Sequence, residues 1–263
     1  TADIEETVES GTRDLAALGL LGAALRELID ALVDTTRDLE QNGLEIVRTI
    51  ALATEARDPH TQGHCLRVQH LTRRLVDELS TIPEFPEEMS RVPRFRRKTE
   101  TAALLHDVGK IAVPDALLLK AGKLSAAEYA RVREHARDGA EILQSLSSMR
   151  EVSEYVRHHH ERFDGTGYPD RLAGEEIPLA SRIIAVADTI DAMRATRPYR
   201  PALDRETMLV ELGRIRGTQL DPRIVDVALG ILRRSGGRFR RQAVLEPEPQ
   251  PLEDTMVLPR VSS

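Results

Sequence analysis

Leucine recurs every seventh residue at Leu18, Leu25, Leu32 and Leu39, with Leu21 and Leu28 on the adjoining seam. That spacing predicts a helix with a narrow apolar stripe, which either pairs with a copy of itself or lies on its own domain. The helical pattern continues through Leu44 to Arg57 and breaks at Asp58-Pro59. There Asp58 suits an N-cap and Pro59 the first position of a further helix, reaching about Leu79. Pro83 to Lys98 holds several prolines and many charges and reads as a connection. Ala102 to Asp107 is an apolar helical stretch ending at Gly109. Ser125-x-x-Glu128 is a capping box opening a helix through His135 to about Leu146. Further helices are predicted from Glu151 to His160, Pro178 to Arg194, Arg205 to Arg216 and Pro222 to Arg234, with a glycine-rich loop from Phe163 to Gly174. No pair of segments alternates with period two, so the expected fold class is all-α.

From Ser235 the pattern fails: arginines lead into a Pro- and Glu-rich stretch from Leu245 to Asp254 that cannot bury enough apolar surface to order itself. The expected organisation is a signalling or dimerisation helix over 1–44, a helical domain over 45–236 and a flexible tail over 237–263. With 3% aromatic residues and no Trp, the core must be built from Leu, Ile, Val and Ala, which favours helices. A net charge of -6 argues against binding DNA or RNA polymers, though not against a small anion in a local basic pocket. The one cysteine, Cys65, leaves no internal disulfide or Cys-based zinc site and fits a reducing, cytoplasmic setting. The apolar run from Leu15 to Leu25 ends at Arg26 and Glu27, short of the roughly 20 residues of a membrane span, and no signal peptide is expected.

The 8 histidines all lie between His60 and His160. His106-Asp107 and His158-His159 stand at the ends of apolar helices, and Asp188 lies in the apolar run Ile183 to Asp188, which reads as buried. A buried carboxylate is costly unless paired or metal-bound. Imidazole and carboxylate without thiolate suit iron, manganese or zinc. Asp107 has two oxygens and could bridge two ions, with His64, His135, His158 and His159 in terminal positions, an arrangement suited to phosphoester hydrolysis. Other motifs fail: Asp164 stands where His160-Glu161 would need a histidine for a zinc protease, and Asp170 replaces the third glycine of a dinucleotide fingerprint.

His106-Asp107-Val108-Gly109-Lys110 resembles the HD motif of metal-dependent phosphohydrolases. The stretch from His158 through His160-Glu161-Arg162-Phe163-Asp164-Gly165-Thr166-Gly167-Tyr168-Pro169 resembles the HHExxDGxGYP signature of the HD-GYP subgroup. The resemblance covers roughly residues 45 to 233. It implies an HD-domain-like helical bundle around a dinuclear metal centre and hydrolysis of cyclic di-GMP to pGpG or GMP. The implied metal ligands are His64, His106, Asp107, His135, His158, His159 and Asp188, holding two iron or manganese ions, with zinc as an alternative. Asp107 and Lys110 would act in catalysis, Lys110 by offsetting charge at the scissile phosphate. Asp58, Arg197, Arg200 and Tyr168 would bind substrate, the arginines through their bidentate fork. His60, where three-metal members carry glutamate, could bind a third ion or face the ligand. His70 and His160 are read as lying outside the coordination sphere. The loop of Gly165, Gly167 and Tyr168 is associated in the family with contact to diguanylate cyclase (GGDEF) domains, while the leucine spacing of the N-terminal stripe itself suggests a homodimer. A receptor or scaffold without turnover, and hydrolysis of another dinucleotide such as cyclic GMP-AMP, are the competing readings.

Overall fold

A computed structural model describes residues 2–58, 62–120, 122–195 and 201–234. Every regular element among them is helical, in agreement with the all-α expectation. The chain divides between Ile50 and Ala51 into two units. Helix α1 spans Ala2–Glu55, and along its first unit Leu25, Leu28, Leu32 and Leu39 are all exposed. The side chains of Leu18, Leu21 and Leu44 lie outside the described residues.

In the second unit the helices follow their buried apolar positions. Helix α2 (His64–Leu79) buries Val68, Leu71, Thr72, Leu75, Val76 and Leu79, a spacing of three and four that makes one face apolar. Short α3 (Phe85–Ser90) and α4 (Phe95–Leu105) follow. After α4 the chain tightens into a 3-10 turn, Val108–Ala112, then α5 (Asp115–Leu118), α6 (Ala126–Arg133), α7 (His135–Gln144) and α8 (Arg150–Arg157). Helix α9 (Leu179–Arg194) is apolar on nearly every side, with Ile183, Ile184, Val186, Ala187 and Ile190 buried, as befits a central helix. Helices α10 (Arg205–Ile215) and α11 (Pro222–Arg234) complete the unit. α2 packs on α4 and α9, while α7 packs on α8 and on the 3-10 turn.

Several boundaries differ from expectation. Asp58 opens no helix: α1 ends at Glu55 and α2 begins at His64, after Gly63 in the left-handed region at φ 70. Pro83 to Lys98 is not a bare connection. Ile82-Pro83-Glu84-Phe85 and Val92-Pro93-Arg94-Phe95 each make a turn whose Phe N–H donates to the Ile82 or Val92 carbonyl, 3.1 Å in both cases, and whose Phe side chain is buried at the start of a helix. The capping box forms as read, Ser125 Oγ accepting from Glu128 N–H and Glu128 Oε2 from Ser125 N–H, but its helix stops at Arg133 and a new one starts at His135.

Two glycines set close approaches. A Cβ on Gly109 would lie 1.9 Å from the His135 carbonyl oxygen, so only glycine lets the 3-10 turn seat against the start of α7. A Cβ on Gly167 would lie 2.3 Å from the Arg162 nitrogen, which fixes the fold of the loop after α8.

Candidate metal centre

Three histidines share one local device. A helix end leaves carbonyl groups without intrahelical donors. His106, just past α4, donates Nδ1–H to the Ala103 carbonyl at 2.8 Å. His135, past α6, donates to Val132 at 2.7 Å, and His159, past α8, to Val156 at 2.6 Å. In each case the acceptor is the carbonyl three residues back. His64, in the first turn of α2, makes the equivalent bond to a carboxylate, Nδ1 to Asp191 Oδ2 at 2.8 Å. A carbonyl or carboxylate oxygen there fixes the proton on Nδ1, so each Nε2 presents a lone pair.

Those lone pairs converge on Asp107. His64, His106 and Asp107 each place a ligand atom within 4.8 Å of the others, and so do Asp107, His135, His159 and His160. Asp107, shared by both groups, has Oδ2 3.5 Å from His106 Nε2 and Oδ1 3.4 Å from His135 Nε2. Nε2 of His135 and of His159 are buried with no hydrogen-bond partner. Buried nitrogens with free lone pairs, gathered around one carboxylate, fit divalent cations, which replace the missing donors. The all N/O donor set suits iron, manganese or zinc.

The charges agree with this arrangement at Asp107, Lys110, His159 and His160, whereas at His64 burial is outweighed by Asp191, Asp188 and Asp107, which raise the imidazole pKa. Burial would raise the Asp107 pKa, but Lys110, His106, His135 and His64 outweigh it and hold the carboxyl well below the usual range. Lys110 Nζ donates to Asp107 Oδ2 at 2.6 Å, and against the effect of burial that carboxylate raises its pKa. Burial, reinforced by neighbouring imidazoles, pushes His159 and His160 well down, so both stay neutral and able to ligate.

The sequence-predicted residues divide accordingly. The structure brings together His64, His106, Asp107, His135 and His159. Asp188 stands at the edge, Oδ1 3.3 Å from His64 Nε2, and is partly exposed rather than buried. His158 points elsewhere: its Nε2 lies 3.4 Å from Asp170 Oδ2, a carboxylate that also receives Arg157. His160 takes the place expected of His158. Its ring lies 4.0 Å from that of His159 and 5.0 Å from that of His135. Three consecutive histidines hid the register, yet the two that directly precede Glu161 are His159 and His160. Asp191 was also missed: it is 2% exposed and joins His64 to Arg67, whose Nε donates to Oδ1 at 2.8 Å. It lies one helical turn beyond Asp188, and that spacing was its only signal.

Tyr168 lies beside His160 at 4.9 Å between ring centroids, and the Arg133 guanidinium lies over the Tyr168 ring, 4.2 Å from its centroid. Asp58 borders a small cavity shared with Glu55, Cys65, Asp107 and Lys110. His60, Arg197 and Arg200 lie outside the described residues.

The HD domain family model matches residues 60–224. The chain is 40% identical over 200 residues to the cyclic di-GMP phosphodiesterase response regulator RpfG of Xanthomonas campestris pv. campestris (strain 8004), covering 75% of this chain and 50% of that protein. It is 38% identical over 194 residues to the 3'3'-cGAMP-specific phosphodiesterase 2 of Vibrio cholerae serotype O1, covering 73% and 35%. Its fold is similar to the crystal structure of a cyclic GMP-AMP-specific phosphodiesterase of V. cholerae (V-cGAP3), with TM-score 0.53 at 19% identity over 74% of this chain and 49% of that one. The chain thus spans half or less of the length of the relatives compared.

Proposed function

The chain belongs to the HD domain family, and on that premise we propose that it is a phosphodiesterase of the HD-GYP type that hydrolyses cyclic di-GMP to pGpG or GMP as the output domain of a signalling protein. The observation that carries this reading is the pair of donor groups meeting at Asp107, with His106, His135 and His159 turned to offer Nε2. His64, His106 and Asp107 would hold one divalent ion, Asp188 standing beside them. Asp107, His135, His159 and His160 would hold the second. Such ions, iron, manganese or zinc by the donor set, supply Lewis acidity and a hydroxide at neutral pH when bound.

The chain's own residues do the rest. Lys110 presents its ammonium beside Asp107, where it would offset charge gathering on the phosphoryl oxygens. Tyr168 offers an aromatic face at the edge of the histidine cluster for a nucleobase. The loop from Gly165 to Pro169 would take the contact with a diguanylate cyclase domain, and the apolar stripe of α1 would pair two copies of the chain. No helix among the described residues is long and apolar enough to cross a membrane. A reducing, cytoplasmic setting suits Cys65, which is buried and in the thiol form.

The test is turnover of cyclic di-GMP by the chain loaded anaerobically with Fe2+ or Mn2+. Linear pGpG should appear, and His106→Ala and Asp107→Ala should abolish it. A metal-loaded chain that turns over nothing contradicts the reading and leaves a receptor. Several similar proteins are named as cGAMP-specific, which favours a second reading with 3'3'-cGAMP as substrate. Comparing kcat/KM on the two dinucleotides decides between them.

A further inference from the structure

We propose that Glu55 and Arg57 are positioning residues that set the places of His64 and Lys110. This deepens the phosphodiesterase reading and, for Lys110, rests on it.

Helix α2 starts abruptly. Its first turn carries His64, yet its N-cap is Gly63, which has no side chain to accept the free N–H groups there. Glu55, the last residue of α1, supplies both acceptors. Its Oε2 accepts the Gly63 N–H at 3.0 Å and its Oε1 accepts the Cys65 N–H. The two backbone groups flanking His64 are therefore fixed by one carboxylate that is only 7% exposed. His64 is held from both ends: the backbone by Glu55 and the imidazole Nδ1 by Asp191.

Arg57 acts on the other arm. The 3-10 turn Val108–Ala112 presents carbonyls where it runs out, that of Lys110 already accepting the Val113 N–H at 3.0 Å. The Arg57 guanidinium collects them: Nη1 donates to the Lys110 carbonyl at 2.9 Å and the Ile111 carbonyl at 2.8 Å, and Nη2 to the Val113 carbonyl at 3.0 Å. Asp115 Oδ1, 2.6 Å from Nη2, holds the guanidinium in place. Only a planar fork reaches this many acceptors at once, so lysine substitutes only in part. The residue so anchored by its backbone is the one whose Nζ meets Asp107. Two side chains two positions apart, directly at the end of α1, thus grip a metal-binding imidazole and the lysine of the same centre.

The experiment uses the full chain in two arms. In the first, Mn2+ affinity is measured by calorimetry for wild type, Glu55→Gln, His64→Ala and the double variant. Gln keeps one acceptor but turns an NH2 toward a backbone N–H. Glu55→Gln should weaken Mn2+ binding about tenfold, the scale of losses from groups that orient metal ligands. In the double variant the loss should equal that of His64→Ala alone, since Glu55 acts only through His64. Should Glu55→Gln not fold, by circular dichroism, Glu55→Asp replaces it and should weaken Mn2+ binding in the same direction. In the second arm, kcat and KM are measured on bis(p-nitrophenyl) phosphate, which needs no cyclic dinucleotide to be the substrate. Arg57→Met should lower kcat with KM and Mn2+ stoichiometry unchanged, Arg57→Lys should fall between it and wild type, and neither should lower kcat further once Lys110→Ala is present. Wild-type Mn2+ affinity in the folded Glu55 variant, or additive losses in either double variant, overturns the proposal. Failure on cyclic di-GMP alone overturns the substrate reading and leaves these two arms intact.

Discussion

At the scale of single residues, the site depends on which nitrogen each histidine offers. His106, His135 and His159 use Nδ1 on the carbonyl three residues back, so Nε2 is left for a cation. Sequence shows that histidines stand at helix ends but not which way the rings turn. It therefore leaves His158 and His160 indistinguishable unless the register is counted back from Glu161. The structure turns His158 to Asp170 and places His160 on His159. His160→Ala should thus lose about tenfold or more in activity and lower the bound Mn2+ per chain, whereas His158→Ala should keep its metal. Metal analysis and turnover on the two variants check this, and equal losses would put His158 back in the centre. The carboxylates follow the same lesson. The apolar neighbours of Asp188 predict burial, but one turn later Asp191 is the carboxylate enclosed and paired.

At the scale of elements, the helices were legible because their apolar faces repeat at three and four, as on α2 and α11. Their ends were less so, because distant groups decide them: Glu55 starts α2, and His135 opens α7 where a single longer helix was expected. The packing of α7 on the 3-10 turn depends on Gly109. Gly109→Ala should destabilise by about 2 kcal/mol or more, since backbone lies where its Cβ would go. Gly122→Ala, where nothing stands within 4 Å, should not, and urea unfolding of both compares them. Asp221 joins α9 to α11, its Oδ2 2.7 Å from Arg182 Nη1 with both side chains buried. Burial alone would raise the Asp221 pKa, but hydrogen bonds from Arg182 and Arg223 outweigh it and hold it below the usual value. A depressed folded-state pKa stabilises fully above the unfolded value of about 3.9 and loses that contribution as pH falls through the folded value. Asp221→Asn should therefore cost about 3 kcal/mol at neutral pH by leaving Arg182 poorly paired, and the gap to wild type should narrow only below about pH 4. A gap unchanged down to the acid transition would show that the ion pair is not its source.

At the scale of the whole molecule, the all-α class and the clustering of histidines between His60 and His160 could be read directly, because few aromatics and apolar positions spaced by three and four favour helices. What covers the stripe of α1 could not. Leu25, Leu28, Leu32 and Leu39 stand exposed, with Leu32 at 65%. If two chains pair along it, sedimentation should give a dimer, and Leu25→Glu with Leu32→Glu should give a monomer; a wild-type monomer would rule the pairing out. The proposed metal centre is also a property of the whole second unit, since its candidate donors come from α2 and from the ends of α4, α6 and α8, with Asp188 of α9 beside them. Anomalous diffraction at the manganese edge from Mn2+-loaded crystals tests it most directly. Two peaks should appear, one among His64, His106 and Asp107 and one among Asp107, His135, His159 and His160. No peak beside Asp107, or a peak at His158 and Asp170 instead, would contradict it.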